Sequence, residues 1–296
     1  MLLSARRISP QPSLLGESPV WDSLHECLYW VDSVACKIHC YDTRAERFQE
    51  WTLPSMVGSV GLSQGRRLVA GLQDGIYEFD LETSELRTLF RFAEPDKLVR
   101  FNDGKVDRQG RFLCGTMGVN ADPRGELYRV SASGKTEILA NGLRITNAIC
   151  FSPDGGTFYF ADSLDRAVRA YSYSPEERGL EAPRIHVDTK PYNSGPDGAT
   201  VDSEGYIWVA LVQVGKIGRY APDGQLDRII DAPTDMPSCL AFGGPDMSTL
   251  YVTSIKDSGT GRAVSRHPAG GHVFAIEGLG VTGIPETRFG DQQGNI

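Results

Sequence analysis

The chain of 296 residues is 40% hydrophobic, ample for a large core, and carries a net charge of −8 with a pI near 5.2. This acidic balance, without any basic run, argues against nucleic acid as a partner. No segment approaches the ~20 apolar residues that span a bilayer, and the N-terminal segment lacks the apolar core of a secretion signal. We therefore expect a cytoplasmic protein with no membrane partner, and reduced thiols at its six cysteines.

Six turn-like segments follow one another along the chain, and each leads into a short β-rich run. The turns carry Gly, Asp, Ser or Pro, which supply positive φ angles or side-chain hydrogen bonds to the turn backbone. The runs that follow are aromatic and β-branched, as strands prefer. The turn positions recur about every 40 to 50 residues, at Asp22, Ser63, Asp107, Ser152, Asp202 and Gly243.

Each unit contains further strand-like runs. One set reads KIHCY, GIYEF, ELYRV, AVRAY, KIGRY and HVFAI, and a weaker set includes RFQEW, LRTLF and TEILA. Such a repeat with about four strands and no helical periodicity is typical of a β-propeller blade. The sequence therefore predicts an all-β fold in which residues 1–296 form one six-bladed β-propeller domain, with about four antiparallel strands per blade. A first strand around residues 2–8 should close the ring by pairing with the last blade.

One position on each innermost strand should point at a common axis, because these strands run beside the central channel. Five of these six residues carry a side-chain oxygen, and converging carboxylate, amide and hydroxyl oxygens suit a hard cation. Each could instead satisfy backbone groups at a strand end, but the shared register favours a cation site. The glycine would leave a gap for ligand or water. Counting five residues back from the turns gives Glu17, Gly58, Asn102, Asn147, Asp197 and Ser238.

Six segments resemble the regucalcin/gluconolactonase family, in the family's order and over most of the chain. They read LGESPVWD, RFNDGKVD, CGTM, TNAICFSPDG, GPDGATVDSEGYIW and HPAGGHVFAI. The resemblance implies a six-bladed propeller that hydrolyses aldonolactones with one bound divalent cation, so the expected partner is a small sugar lactone.

The resemblance also implies a role for individual residues. It gives Glu17, Asn147 and Asp197 as metal ligands, and Arg100 and Asn102 as substrate-binding residues. The register count reaches four of these five by itself, whereas Arg100 comes from the resemblance alone. Some relatives place a substrate-contacting acid just after the GTM motif, where this chain reads GVNAD at residues 118–122, so the resemblance leaves that contact unassigned.

The candidate residues fit metal-assisted hydrolysis better than a serine mechanism. None of the five histidines falls at the inner register, and no G-x-S-x-G motif occurs. A cation would polarise the lactone carbonyl, and we expect Asp197 to act as the general base. Oxygen ligands favour calcium, with magnesium, manganese, zinc or iron(II) as alternatives. Two other functions stay open: a metal-dependent esterase or phosphotriesterase, and a non-catalytic calcium-binding propeller.

Overall fold

A computed structural model describes residues 3–174, 179–180 and 182–291. The charged run at 175–178, which the sequence predicts to be a solvated surface turn, lies outside this part of the chain. Within it, the only helices are two 3-10 turns of three residues, Ser163–Asp165 and Lys190–Tyr192, so no helix there could cross a membrane.

The described chain forms six sheets, each of four antiparallel strands, arranged as blades around a central channel. This confirms the predicted six-bladed β-propeller. From the channel outwards, blades 1 and 2 contain β2 (Gly16–Asp22), β3 (Cys27–Asp32), β4 (Lys37–Asp42), β5 (Arg47–Thr52), and β6 (Val57–Leu62), β7 (Arg67–Leu72), β8 (Gly75–Asp80), β9 (Leu86–Arg91). Blades 3 and 4 contain β10 (Val99–Val106), β11 (Phe112–Gly118), β12 (Gly125–Val130), β13 (Thr136–Leu143), and β14 (Thr146–Phe151), β15 (Thr157–Asp162), β16 (Ala167–Ser172), β17 (Arg184–Asp188).

Blades 5 and 6 complete the ring. They contain β18 (Pro196–Val201), β19 (Ile207–Leu211), β20 (Lys216–Tyr220), β21 (Leu226–Asp231), and β22 (Pro237–Gly243), β23 (Thr249–Ser254), β24 (Phe274–Glu277), β1 (Ser4–Arg7). The N-terminal strand β1 pairs antiparallel with β24, from Ser4 opposite Glu277 to Arg7 opposite Phe274. The predicted closure of the ring by the first strand is therefore confirmed.

The turns that end the inner strands use their acidic side chains as the sequence predicts. The Asp107 carboxylate accepts hydrogen bonds from the backbone N–H groups of Gln109 (3.0 Å) and Arg111 (2.8 Å). Asp202 holds its own turn in the same way. A short polar side chain that satisfies the turn backbone fixes where each inner strand stops and the next strand begins.

The hydrophobic core of the described residues is divided into six clusters, and each cluster lies between two neighbouring blades. The second strand of each blade is consequently packed on both faces. All six residues of β3 are buried, for example, whereas the outer strand β5 is mostly exposed. Burial on both faces explains why second strands such as β3, β7 and β19 read as nearly continuous apolar runs rather than as an alternating pattern.

The C-terminal segment, residues 279–291, crosses the end of the channel at which the inner strands finish. Its backbone bonds to several blades: Ser203 donates to Thr282 (2.8 Å), and Phe289 donates to Leu62 (2.7 Å). Glu286 also forms an ion pair with Lys105 at 3.0 Å. Two cavities found at this end measure only about 10 Å³ each, so a ligand must enter from the opposite end, where the inner strands begin.

Replacement of Phe289 by alanine should destabilise the ring. The ring of Phe289 is 1% exposed and packs with residues of blades 2 and 3. Loss of a buried phenylalanine typically costs about 3–5 kcal/mol of unfolding free energy, measurable by urea denaturation. Phe48→Ala, which removes a ring that is 37% exposed on an outer strand, is the control. Equal losses in the two variants would show that the C-terminal segment does not stabilise the propeller.

Candidate active site

Every inner strand carries one extra residue relative to its neighbour, and the irregularity falls at the predicted register in all six blades. A β-bulge of this kind interrupts the pleat and re-aims the side chain beside it. In two blades the residue directly after the predicted register position also has a left-handed backbone conformation: Ser18 after Glu17, at φ 49°, and Ala148 after Asn147, at φ 54°. Such a conformation is unfavourable for residues other than glycine and clusters at functional sites.

The five residues predicted for the site line a single cavity of about 270 Å³. It lies at the end of the channel where the inner strands begin, opposite the C-terminal segment. Its wall also contains apolar side chains, among them Leu15, Met117 and Ile255. The predicted residues that it brings together are Glu17, Arg100, Asn102, Asn147 and Asp197.

A directed chain of hydrogen bonds fixes the neutral side chains of the site. Arg100 Nη1 donates to Asn102 Oδ1 at 2.8 Å, and Asn102 Nδ2 donates to Asn147 Oδ1 at 3.0 Å. Asn147 Nδ2 donates in turn to the hydroxyl of Ser163 at 2.8 Å, which donates to the carbonyl of Pro196 at 2.7 Å. An amide oxygen has two lone pairs, so Asn147 Oδ1 keeps one acceptor position for a ligand.

The guanidinium of Arg100 is buried at 6% exposure. It donates to the Phe101 carbonyl as well as to Asn102, and none of the described carboxylates forms an ion pair with it. Burial lowers the pKa of Arg100 to about 10, although the charges of Glu17 and Asp197 act in the opposite direction. The group therefore remains a cation at neutral pH and presents fixed, planar donors to the cavity.

The carboxyl groups of Glu17 and Asp197 are held where ionisation is unfavourable. Burial, followed by repulsion from Asp197 and Asp103, raises the pKa of Glu17 well above its ordinary value. Burial and repulsion from Asp103 likewise raise the pKa of Asp197. A carboxyl group whose pKa rises on folding makes the folded state less stable at any pH above its unfolded pKa. At neutral pH these two acids therefore destabilise the fold unless a cation compensates them.

The donor set fits a hard divalent cation. Two carboxylates and one amide oxygen line the same cavity, and oxygen ligands of this kind suit calcium, magnesium or manganese. The described residues contain no group of three or more His, Cys, Asp or Glu side chains that could hold a metal. An ion bound here would therefore depend on the Asn147 amide and on oxygens from water or substrate to complete its coordination.

The predictions for two of the six inner-strand positions, Gly58 and Ser238, are wrong. Gly58 leaves no gap, because a Cβ at this position would collide with the backbone carbonyls of Phe101 and Asn102. The neighbouring inner strand fills the space that the missing side chain provides. Ser238 does not join the converging oxygens either, since it is fully buried and its hydroxyl bonds to the Gly16 carbonyl and to Thr253.

Sequence reasoning missed several residues at or beside the cavity. Asp103 lies in the bulge of β10, and burial raises its pKa to about 6. Its carboxylate accepts hydrogen bonds from the N–H groups of Gly104 and Ile149, both at 2.8 Å. Arg166 and Arg262 line the cavity from connecting loops, whose paths no sequence pattern revealed. None of the residues 118–122 lines it, so the acid of some relatives has no counterpart there.

The fold and site define a class: a six-bladed propeller with an acid, amide and arginine cavity at one end of its channel. Residues 15–256 match the model of the SMP-30/gluconolactonase/LRE-like region, and the chain belongs to that family, as the sequence motifs predict. A 6-deoxy-6-sulfogluconolactonase of Pseudomonas putida is 35% identical over 94% of this chain and 96% of its own. Regucalcin of Bos taurus is 32% identical over 91% and 93%.

A solved structure agrees with this assignment. The crystal structure of regucalcin from Agrobacterium tumefaciens, described as a calcium-binding protein, superposes with a TM-score of 0.87 at 27% identity. It covers 97% of each chain. The propeller is therefore shared along nearly the whole length of both proteins.

Substitution of Gly58 by alanine should destabilise the protein and displace the backbone that carries Asn102. Overpacking a close backbone contact typically costs about 1–3 kcal/mol, which chemical denaturation would measure. The matched control is Gly156→Ala, because the nearest atom to a Cβ there is a carboxylate oxygen of Asp154 at 3.5 Å, an ordinary contact. If both variants unfold at the same denaturant concentration, the inner strands of blades 2 and 3, β6 and β10, do not approach each other as closely as the structure indicates.

Proposed function

We propose that the protein hydrolyses a sugar lactone to the corresponding aldonic acid in this cavity. The observation that carries the proposal is the convergence of Glu17, Arg100, Asn102, Asn147 and Asp197 on one cavity. The name of the Pseudomonas putida relative, a sulfogluconolactonase, supports the same reaction type. The cytoplasmic location and the absence of nucleic acid and membrane partners stay predictions from the sequence.

In this proposal Glu17, Asn147 and Asp197 hold one divalent cation. Calcium is the expected ion, in line with the description of the Agrobacterium relative as a calcium-binding protein; magnesium, manganese, zinc and iron(II) are the alternatives. Such an ion would polarise the lactone carbonyl and stabilise the negative charge that develops on its oxygen.

The chain's own residues bind the sugar and move the proton. Arg100 and Asn102 are joined by a hydrogen bond of 2.8 Å, and together they offer donors and an acceptor to ring hydroxyls. Asp197, 7% exposed at the start of β18, accepts the proton of the attacking water as general base. Glu17 is assigned to metal binding only.

A serine nucleophile fits this cavity poorly. No histidine is among the described residues that line it, so a hydroxyl would lack the usual base. The hydroxyl of Ser163 already donates to the Pro196 carbonyl and accepts from Asn147. These bonds hold Ser163 as a support for the Asn147 amide.

Asp197→Asn tests the proposed base. With the metal site saturated, the variant should open D-glucono-1,5-lactone at least ~100-fold more slowly than the wild type, because an amide cannot accept the proton. Proton release measures the rate after subtraction of spontaneous hydrolysis. Asp154→Asn, in an exposed surface turn, serves as the control and should leave the rate unchanged.

Other results of this assay would contradict the assigned base, the substrate class or the catalytic function itself. A near wild-type rate at saturating metal would place the base elsewhere, with Glu17 as the next candidate. Faster wild-type hydrolysis of aryl esters or phosphotriesters than of any lactone would favour a different hydrolase. Absence of turnover on every substrate, with calcium bound, would favour a non-catalytic calcium-binding propeller.

A further inference from the structure

We propose that the substrate of this site is an anionic lactone, with a carboxylate, phosphate or sulfonate group distant from the carbonyl that reacts. The inference rests on the proposed function and adds the class of substrate. It is motivated by two arginines, Arg166 and Arg262, that line the cavity and have no role in opening the lactone ring.

Arg166 is placed at the cavity by blade 4. It directly follows the 3-10 turn Ser163–Asp165 and adopts a left-handed conformation, with φ 54°, while its N–H bonds to the Ser163 carbonyl at 3.1 Å. The neighbouring acid, Asp165, already pairs with Arg144 and with Arg169. None of the described carboxylates forms an ion pair with Arg166, whose side chain is exposed.

Arg262 reaches the same cavity from blade 6. It belongs to the long connection between β23 and β24, residues 255–273, which is tied to blade 1 by backbone bonds from Lys256 and Asp257 to Leu14, both at 2.9 Å. Its Nη1 donates to the backbone carbonyl of Val119 at 3.1 Å. A neutral carbonyl fixes the guanidinium without neutralising it, and among the described residues no acid pairs with Arg262.

The charges that line the cavity are therefore unbalanced. Among its described lining residues are three arginines and only two carboxylates, those of Glu17 and Asp197. Both carboxylates are assigned to the cation in the proposed function, which leaves the guanidinium groups without a partner. A local positive excess in a protein of net charge −8 would attract and orient an anionic ligand.

The positions of the arginines separate two ends of a bound molecule. Arg100 is buried beside the acids and amides, whereas Arg166 and Arg262 are exposed. The reacting carbonyl would thus lie deep in the cavity and the anionic group near its mouth. A guanidinium fork matches the paired oxygens of carboxylate, phosphate and sulfonate groups alike, so the shared chemistry is an oxyanion at the far end of the sugar.

A set of matched lactones tests the inference. D-glucono-1,5-lactone is compared with analogues that carry a carboxylate, a phosphate or a sulfonate at C6. Wild-type kcat/KM should be higher for at least one anionic analogue by about tenfold or more, since a hydrogen bond to a charged group is worth that much. Added salt should reduce the advantage.

The variants Arg166→Gln and Arg262→Gln should each lower the ratio of kcat/KM between the preferred anionic lactone and the neutral one, by roughly tenfold. Arg47→Gln, which removes the same charge from the exposed outer strand of blade 1, should leave the ratio unchanged. Absence of any anionic preference in the wild type, or an unchanged ratio in both cavity variants, would overturn the inference alone. Failure of the wild type to open any lactone, neutral or anionic, would overturn the proposed function with it.

Discussion

The burial of neighbouring carboxyl groups at the open end of the channel is the constraint around which the site is organised. Glu17 and Asp197 line one cavity, where burial raises the pKa of both and repulsion from Asp103 raises it further. Like charges kept apart from water are costly unless a cation compensates them. Arg100 supplies only part of that compensation, which is why the donor set points to a bound divalent ion.

The two ends of the propeller's channel have different structures, and this difference stabilises the arrangement. At the open end every inner strand bulges, so that side chains from several blades meet in one cavity. At the other end the C-terminal segment crosses the ring and pairs Glu286 with Lys105. Six apolar clusters among the described residues lie between neighbouring blades and stabilise the propeller. Their packing offsets the unfavourable burial of the charged groups in the site.

The sequence predicts the fold well because turn chemistry and strand composition repeat six times along the chain. The same repeat places Glu17, Asn147 and Asp197 at one register without any reference to relatives. It does not reveal the bulges, because nothing in the local sequence distinguishes a bulged strand from a regular one. Gly58 and Ser238 were misread for a related reason: their environment depends on the neighbouring strand, which local patterns do not describe.

The arginines of the cavity show a second limit of sequence reasoning. Arg100 was found only through the family motif, and Arg166 and Arg262 were not found at all. Arg166 and Arg262 lie on connections between strands, and tertiary contacts determine the path of such a connection. The hydrogen bond from Arg262 to the Val119 carbonyl is one of these contacts. Loops vary more than the strands that they join, so substrate preference within a shared propeller is expected to depend on such residues.

Metal binding by the wild type and by Glu17→Gln, after both are stripped by chelation and checked by elemental analysis, tests the central claim most directly. Calorimetry should find one divalent ion per wild-type chain, and calcium should raise the melting temperature because only the folded state assembles the site. Glu17→Gln should lose most of that affinity, yet melt no lower than the metal-free wild type, because one repelling charge is gone. Equal affinity in the two proteins, or no binding of any divalent ion by the wild type, would contradict the account.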